Sequence, residues 1–355
     1  MTAPESRILS TDRLDVHAWI AGDPANPPLL LVHGNASSGV FFDRVQAKLA
    51  ERYFVIAPDM RGYGRSQAKA IDATRGMRDM SDDLAALLAS EALGLGSDAK
   101  AHVLGWSAGA NVAMQLAMDH GGRVASLTLL NPGSPFGFGG TKGLDGTPCY
   151  EDFAGSGGGT ANPQFCELIA AKDRSADQPV SPRNVMKNFY WLPSFEIEAE
   201  REEAYLSGML ETTVGPEHYP GDMTPSSNWP GVAPGSKGMN NALSPKYMNQ
   251  GGFADIAEKP PVLWMRGEGD QIVSDRSMFD FGVLGELGAV PGWPGADVYP
   301  AQPMIAQTRA VLDAYQAHGG SYREVCFSDC GHALHIEKED EFLRELGAFL
   351  AEVNS

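Results

Sequence analysis

The sequence predicts an α/β protein: a mainly parallel sheet covered on both faces by helices, with one large insertion. Three observations predict it. Short apolar runs alternate with helical stretches along most of the 355 residues, as parallel strands joined by crossover helices require. One strand-to-helix junction carries Gly105-Trp106-Ser107-Ala108-Gly109, a serine with a glycine two residues to either side. The alternation breaks after Asn131-Pro132 and resumes at Pro261.

Taken in order, the alternation Leu14-Asp15-Val16-His17-Ala18-Trp19-Ile20 marks an early antiparallel hairpin within residues 7–20. Residues 29–32 read as a strand, 41–51 as a helix and 53–57 as a strand. A helix over 80–93 follows, with Ser81 as its cap and Leu84, Leu87 and Leu88 on one face. Residues 101–105 form the strand before the serine, 111–120 an amphipathic helix and 124–130 the next strand. From 133 to 259 the chain turns rich in Gly, Pro, Asn and aromatic residues, with helical stretches at 182–190 and 196–210. Its Phe189, Trp191, Tyr219 and Trp229 favour an ordered lid over a disordered linker. A core domain of 1–132 and 260–355 is therefore expected, with 133–259 as an inserted lid. Removing the lid should alter substrate preference more than the integrity of the sheet. Beyond it come a buried strand at 261–266, a long connection over 271–303, a helix at 304–318, a strand at 322–327 and a helix at 338–353.

Composition narrows the function. Lys and Arg total 27 against 45 Asp and Glu, a net charge of −18, which repels nucleic acid, anionic lipid and polyanionic substrates. Residues 1–10 lack a basic segment followed by an apolar one, and no apolar run approaches the roughly 18 residues that span a bilayer. A cytoplasmic protein acting on a small molecule is expected, with neither nucleic acid nor membrane as partner; a homo-oligomer stays open. Cys149, Cys166, Cys326 and Cys330 are too few for a disulfide scaffold, and reduced thiols are the default in the cytosol. Each close pair could still bridge under oxidising conditions. No zinc-like spacing surrounds them, so no metal and no cofactor are expected.

Three loops at strand C-termini, where open parallel sheets bind ligands, supply a chemical constellation. Ser107 sits on a sharp turn that lifts its hydroxyl off the sheet. A serine is a poor nucleophile without a base. His332, in Cys330-Gly331-His332 after the last strand, can take the Ser107 proton and return it to a leaving group. Asp270, in Gly267-Glu268-Gly269-Asp270, can hold that imidazole in the useful tautomer. The amide of Ala108 and one from His33-Gly34-Asn35-Ala36, Asn35 ahead of Ala36, would form an oxyanion hole.

These motifs carry a resemblance. His33-Gly34, Asp59-Met60-Arg61-Gly62-Tyr63-Gly64-Arg65-Ser66, Gly105 to Gly109, Asp270 and Gly331-His332 follow one another as in the α/β-hydrolase superfamily, which the chain resembles outside 133–259. The resemblance implies an eight-stranded sheet with a lid inserted after the sixth strand. Ser107, where epoxide hydrolases and dehalogenases carry Asp, points away from both. A serine hydrolase cleaving a carboxylic ester or lactone through an acyl-enzyme is expected. Amide, thioester or carbon–carbon bond hydrolysis, or acyl transfer, could run on the same triad. The rival from another class is a ligand-binding protein with negligible turnover.

Bland roles compete with several assignments. Glu268 could replace Asp270, although capping its loop is the simpler role. His335 could replace His332, although lining or packing is simpler, and a metal pair of the two lacks a third ligand. His33, Asp59, Arg61 and Ser66 read as turn-bracing residues, Met114 and Met118 as core. Trp106 could line the acyl pocket or pack beneath the turn. Trp191, Trp229 and Tyr247 could contact substrate or form a small core within the lid.

Overall fold

A computed structural model describes residues 4–96 and 99–354. Eight strands form one sheet: β1 (Glu5–Ser10), β2 (Asp15–Ala21), β3 (Pro28–Val32), β4 (Phe54–Pro58), β5 (Ala101–Trp106), β6 (Val124–Leu130), β7 (Val262–Gly267) and β8 (Tyr322–Phe327). Their spatial order is β1-β2-β4-β3-β5-β6-β7-β8. The β1–β2 and β2–β4 pairs are antiparallel, and every pair from β4 to β8 is parallel. β4 and β5 are buried along their whole length, as strands covered on both faces must be. β8 closes the sheet with a partly exposed edge bearing Arg323 and Glu324, charges that discourage pairing with another chain.

The two-residue period of the strands sorts their side chains into two apolar layers. Leu30, Val32, Ile56, Val103, Leu127 and Trp264 face one side. There they meet α2 (Arg78–Ala89), α3 (Ala108–Asp119) and α4 (Met304–Ala317) through Leu87, Met114 and Leu312. Leu29, Leu31, Val55, Leu104, Leu263 and Met265 face the other, against α1 (Asp43–Leu49) and α5 (Glu339–Val353). Among the described residues no helix is long and apolar enough to cross a membrane.

Three local expectations shift. The second helix starts at Arg78, so Ser81 lies inside it, its hydroxyl on the Arg78 carbonyl at 3.3 Å, rather than capping it. The stretch 41–51 divides into a 3-10 turn, Gly39–Phe42, and α1. The helix after Ser107 is not amphipathic, because every residue from Ala108 to Ala117 is buried. Small side chains at Ala110, Ala113 and Ala117 let its neighbours close around it.

The insertion lies between β6 and β7. It carries helices Pro163–Ala170 and Ala199–Leu210, and a helix Pro182–Val185 that runs into a π-helical turn, Met186–Tyr190. Its buried side chains join the two layers of the sheet. Met239, Leu243, Met248 and Phe253 pack with the α2–α3 layer, and Phe165, Ile169, Tyr205 and Met209 with the α1–α5 layer. All four cysteines are free thiols.

Because the insertion completes both layers, deleting 133–259 strips apolar cover from the sheet. Removing several buried Leu, Met and Phe contacts, each worth about 2–5 kcal/mol, exceeds the roughly 5–15 kcal/mol that holds a domain together. The deletion variant is expected to lack a cooperative thermal transition, where the sequence alone suggested an intact core. A sharp calorimetric transition would instead support the autonomous lid that the sequence suggests.

Candidate active site

Ser107 occupies the turn between β5 and α3 with φ +56°, a conformation rare outside glycine. Its neighbours explain how the turn closes. A side chain at Gly105 would stand 2.3 Å from the Gly109 carbonyl oxygen, and one at Gly109 would stand 2.3 Å from that of His33. Only glycine allows strand, turn and helix to approach so closely. The Ser107 N–H donates to Leu130 O at 2.8 Å, which pins the turn to β6.

Asp270 and His332 meet as the spacing of their loops implies. His332 Nδ1 lies 2.7 Å from Asp270 Oδ2, with both side chains buried. Asp270 Oδ1 accepts the Ile272 and Val273 N–H groups at 2.8 and 3.0 Å, which fixes the carboxylate for its partner. Glu268 is exposed and takes no part. The His332 carbonyl accepts the Trp106 indole N–H at 2.8 Å and Asn131 Nδ2 at 2.7 Å, while Asn131 Oδ1 accepts the Gly267 N–H at 2.9 Å. Asn131 thus ties the ends of β6, β7 and β8 together, a role the sequence did not reveal. Ser107 and His332 line one cavity, and among the described residues no hydrogen bond yet joins them. Such bonds often tighten only around substrate.

The loop after β3 presses against this turn: a side chain at Gly34 would come 3.0 Å from Ser107 Cβ. His33 braces it, with Nδ1 2.7 Å from Gly34 O and Nε2 accepting the Met60 N–H at 2.9 Å. Burial lowers its pKa, keeping that acceptor nitrogen unprotonated. The Ala36 N–H is occupied by Asn35 Oδ1 at 3.1 Å, whereas among the described residues the Asn35 N–H has no acceptor. Ala108 opens α3, where an amide has no partner within its own helix. Asn35 and Ala108 therefore each present, among the described residues, a backbone N–H with no acceptor. Asp59 accepts the Gly39 and Arg65 N–H groups and Arg61 pairs with Asp83, so both brace the structure around the turn.

A strap from the insertion holds the two loops. Tyr190 Oη donates toward Asn35 O and Ala36 O at 3.1 and 2.9 Å, and its own carbonyl accepts the Ala333 N–H at 2.6 Å. Burial raises the phenol pKa, so the donor proton is retained. The Leu192 N–H donates to Glu337 Oε2 at 3.0 Å, and Glu337 Oε1 accepts the Gly331 N–H at 2.7 Å. Residues 190–192 therefore bridge the candidate oxyanion loop and the histidine loop.

The cavity holds about 360 Å³, within the roughly 300–1,000 Å³ range of small-molecule sites. Its wall includes Phe138, Phe165, Phe189, Tyr219, Leu243 and Phe279 and, among the described residues, no Asp, Glu, Lys or Arg. Trp106 lines it as well as anchoring His332. Trp191 and Trp229 do not reach it. Trp191 is buried against Phe195 in the α1–α5 layer, and Trp229 donates its indole N–H to Pro291 O, with its ring edge-on to Tyr299. Tyr247 likewise faces away, its hydroxyl on Gly235 O. Phe189 and Tyr219 come from the same aromatic-rich insertion, but composition does not say which aromatics face the void. His335 sits in a box of Phe42, Trp106 and Phe342 rings, with centroids 4.9, 5.0 and 6.2 Å away, and is a packing residue. Among the described residues no group of three or more His, Cys, Asp or Glu is placed to hold a metal.

A family model described as the alpha/beta hydrolase fold matches residues 27–281. The protein named "Putative carbamate hydrolase RutD" from Caulobacter vibrioides is 39% identical over 118 residues, covering 33% of this chain and 42% of that protein. The match therefore spans less than half of the relative's length. Among solved structures, a membrane phospholipase A described as a bacterial virulence factor superposes with a TM-score of 0.61 at 17% identity, over 99% of this chain and 87% of that one. An esterase from Rhodococcus sp. ECU1013 superposes with a TM-score of 0.59 at 18% identity, over 99% and 100% of the two chains. At these identities the likeness is one of fold.

The aromatic box makes a prediction. Burial, aided by the Arg201 and His332 charges, lowers the His335 pKa to about 3. The unfolded chain then binds a proton that the folded chain refuses, so this group adds stability above its ordinary pKa of 6.5 and loses it as pH falls toward 3. His335→Phe should flatten the fall in melting temperature between about pH 6.5 and 4. An unchanged acid slope would mean that His335 titrates as an ordinary imidazole.

Proposed function

The chain belongs to the α/β-hydrolase family, and from that premise we propose that it hydrolyses neutral carboxylic esters, lactones included, through an acyl-enzyme on Ser107. The observation that carries this reading is the Asp270–His332 bond of 2.7 Å, facing the cavity into which the Ser107 turn opens. Asp270 accepts from Nδ1, so His332 Nε2 keeps its lone pair for the Ser107 proton. Ser107 Oγ attacks the ester carbonyl as the proton moves to Nε2. The oxyanion is held by the Asn35 and Ala108 amides, and loss of one such donor typically costs about 3 kcal/mol. His332 then protonates the departing alcohol, and a water, deprotonated by the same nitrogen, releases the acid.

The cavity wall supports the substrate class. With no Asp, Glu, Lys or Arg among the described residues of the wall to pair with it, a charged acyl group would be desolvated without compensation. Apolar chains instead gain about 0.8 kcal/mol for each buried methylene until the volume is filled. The carbamate named for the relative calls for the same tetrahedral intermediate, so a carbamate belongs among the test substrates.

A p-nitrophenyl ester series, a lactone, an aryl carbamate and a hemisuccinate ester, each with wild type and Ser107→Ala, test the reading. kcat/KM should climb with chain length and then fall once the cavity is full, with the hemisuccinate at least about tenfold poorer than the neutral ester of similar size. Ser107→Ala should lower kcat by about a thousandfold or more. Turnover surviving in Ser107→Ala would move the nucleophile elsewhere. Tight binding without turnover across the panel would favour the ligand-binding alternative.

A further inference from the structure

A Ser–His–Asp hydrogen-bond chain, separate from the candidate site, lies at the β1–β2 edge of the sheet. Ser6 Oγ is 2.9 Å from His17 Nε2, and His17 Nδ1 is 2.7 Å from Asp59 Oδ2. His17 and Asp59 are only 1% and 2% exposed, whereas Ser6 is exposed on the edge strand. The imidazole is held firmly: its backbone N–H donates to Ser66 Oγ at 2.8 Å, its carbonyl accepts the Asp59 N–H at 2.9 Å, and the Trp19 ring meets it edge-on at 5.4 Å.

Charge and tautomer follow from the surroundings. Burial works to raise the Asp59 carboxyl, but the bond from His17, the nearby His33 and the Arg65 and Gly39 amides outweigh it and hold the group below its ordinary range. An ionised Asp59 accepts the Nδ1 proton, leaving the Nε2 lone pair toward Ser6, whose hydroxyl donates. Hydroxyl, base and orienting carboxylate are therefore in register here, with the serine–imidazole bond already made.

We propose that Ser6 is a self-acylation site for activated acyl donors, the class of aryl esters and thioesters, with His17 as the base and Asp59 as its orienting acid. Ser6 Oγ attacks the acyl carbon while its proton passes to His17 Nε2. The bond to the phenolate or thiolate leaving group then breaks, and His17 returns the proton to that group or to water. The product is an O-acyl serine and a free phenol or thiol. Ser6 is the second residue of β1 and does not precede a helix as Ser107 does, so the helix amide that stands beside Ser107 is missing there. Acylation there stops after one event.

The strand supplies its own control. Ser10 is also exposed on β1, but its hydroxyl donates to the Asp15 carboxylate at 2.6 Å and has no imidazole. The Ser107→Ala protein, treated with p-nitrophenyl acetate and mapped by peptide mass spectrometry, should carry acetyl on Ser6 at least about tenfold faster than on Ser10, as general-base help predicts. His17→Gln should remove that advantage, and Ser6→Ala in the otherwise native protein should leave turnover at Ser107 unchanged. Equal acetylation of Ser6 and Ser10 would overturn the proposal, and this comparison needs no variant at His17. So would an undiminished Ser6 rate in a His17→Gln protein with a native melting transition.

Discussion

The fold turns on the close approach of three backbones at Gly105, Ser107 and Gly109. β5 must run straight into α3, and α3 must press against the end of β3, or the serine would not stand clear of the sheet. Side chains at either glycine would stand 2.3 Å from a carbonyl oxygen, a contact no small adjustment relieves. The left-handed φ of Ser107 stores strain, which strained residues hold only where their surroundings over-determine them. Here the surroundings are the fully buried β5, the buried length of α3 and the bond from Ser107 N–H to β6.

From that turn outward, each part of the site is positioned by hydrogen bonds between loop ends. Asn131 and the Trp106 indole hold the carbonyl of His332, while Asp270 holds its ring. Tyr190 and Glu337 join the histidine loop to the loop carrying Asn35. Buried networks of this kind rigidify a site when every member is satisfied. They also make the insertion part of the machinery: its aromatic residues wall the cavity while its backbone steadies the loops. The same residues share the two apolar layers of the sheet, so the cover over the site is continuous with the core beneath it.

Much of this was legible in the sequence where a single physical signal dominates. β6 matches its expected bounds because a buried parallel strand reads as a short apolar run between turns, and the partly exposed edge strand β8 also begins and ends where expected. Ser107, Asp270 and His332 could be picked out as candidates because each follows a strand at the ligand-binding edge. What distinguishes Asn35 from Ala36, the Asn35 side chain occupying the Ala36 amide, was not legible there. For Trp191 and Trp229 the sequence leaves substrate contact and a small core within the insertion equally open, because a large aromatic there must be buried somewhere. Only the three-dimensional packing shows that Phe165, Phe189 and Tyr219 take the cavity instead. Asn131, Tyr190 and Glu337 gave no signal, because each acts across loops distant in sequence.

Every step of the proposed reaction depends on Asp270 holding His332 as the base for Ser107. The most direct measurement is the rate at which a neutral alkyl fluorophosphonate labels Ser107, mapped by peptide mass, in wild type and Asp270→Asn. Asparagine keeps the shape but presents the wrong hydrogen-bonding pattern to Nδ1, so labelling should slow by about a thousandfold or more with the melting temperature little changed. Equal labelling rates, or a label on another residue, would rule out Asp270 as the orienting acid or Ser107 as the nucleophile.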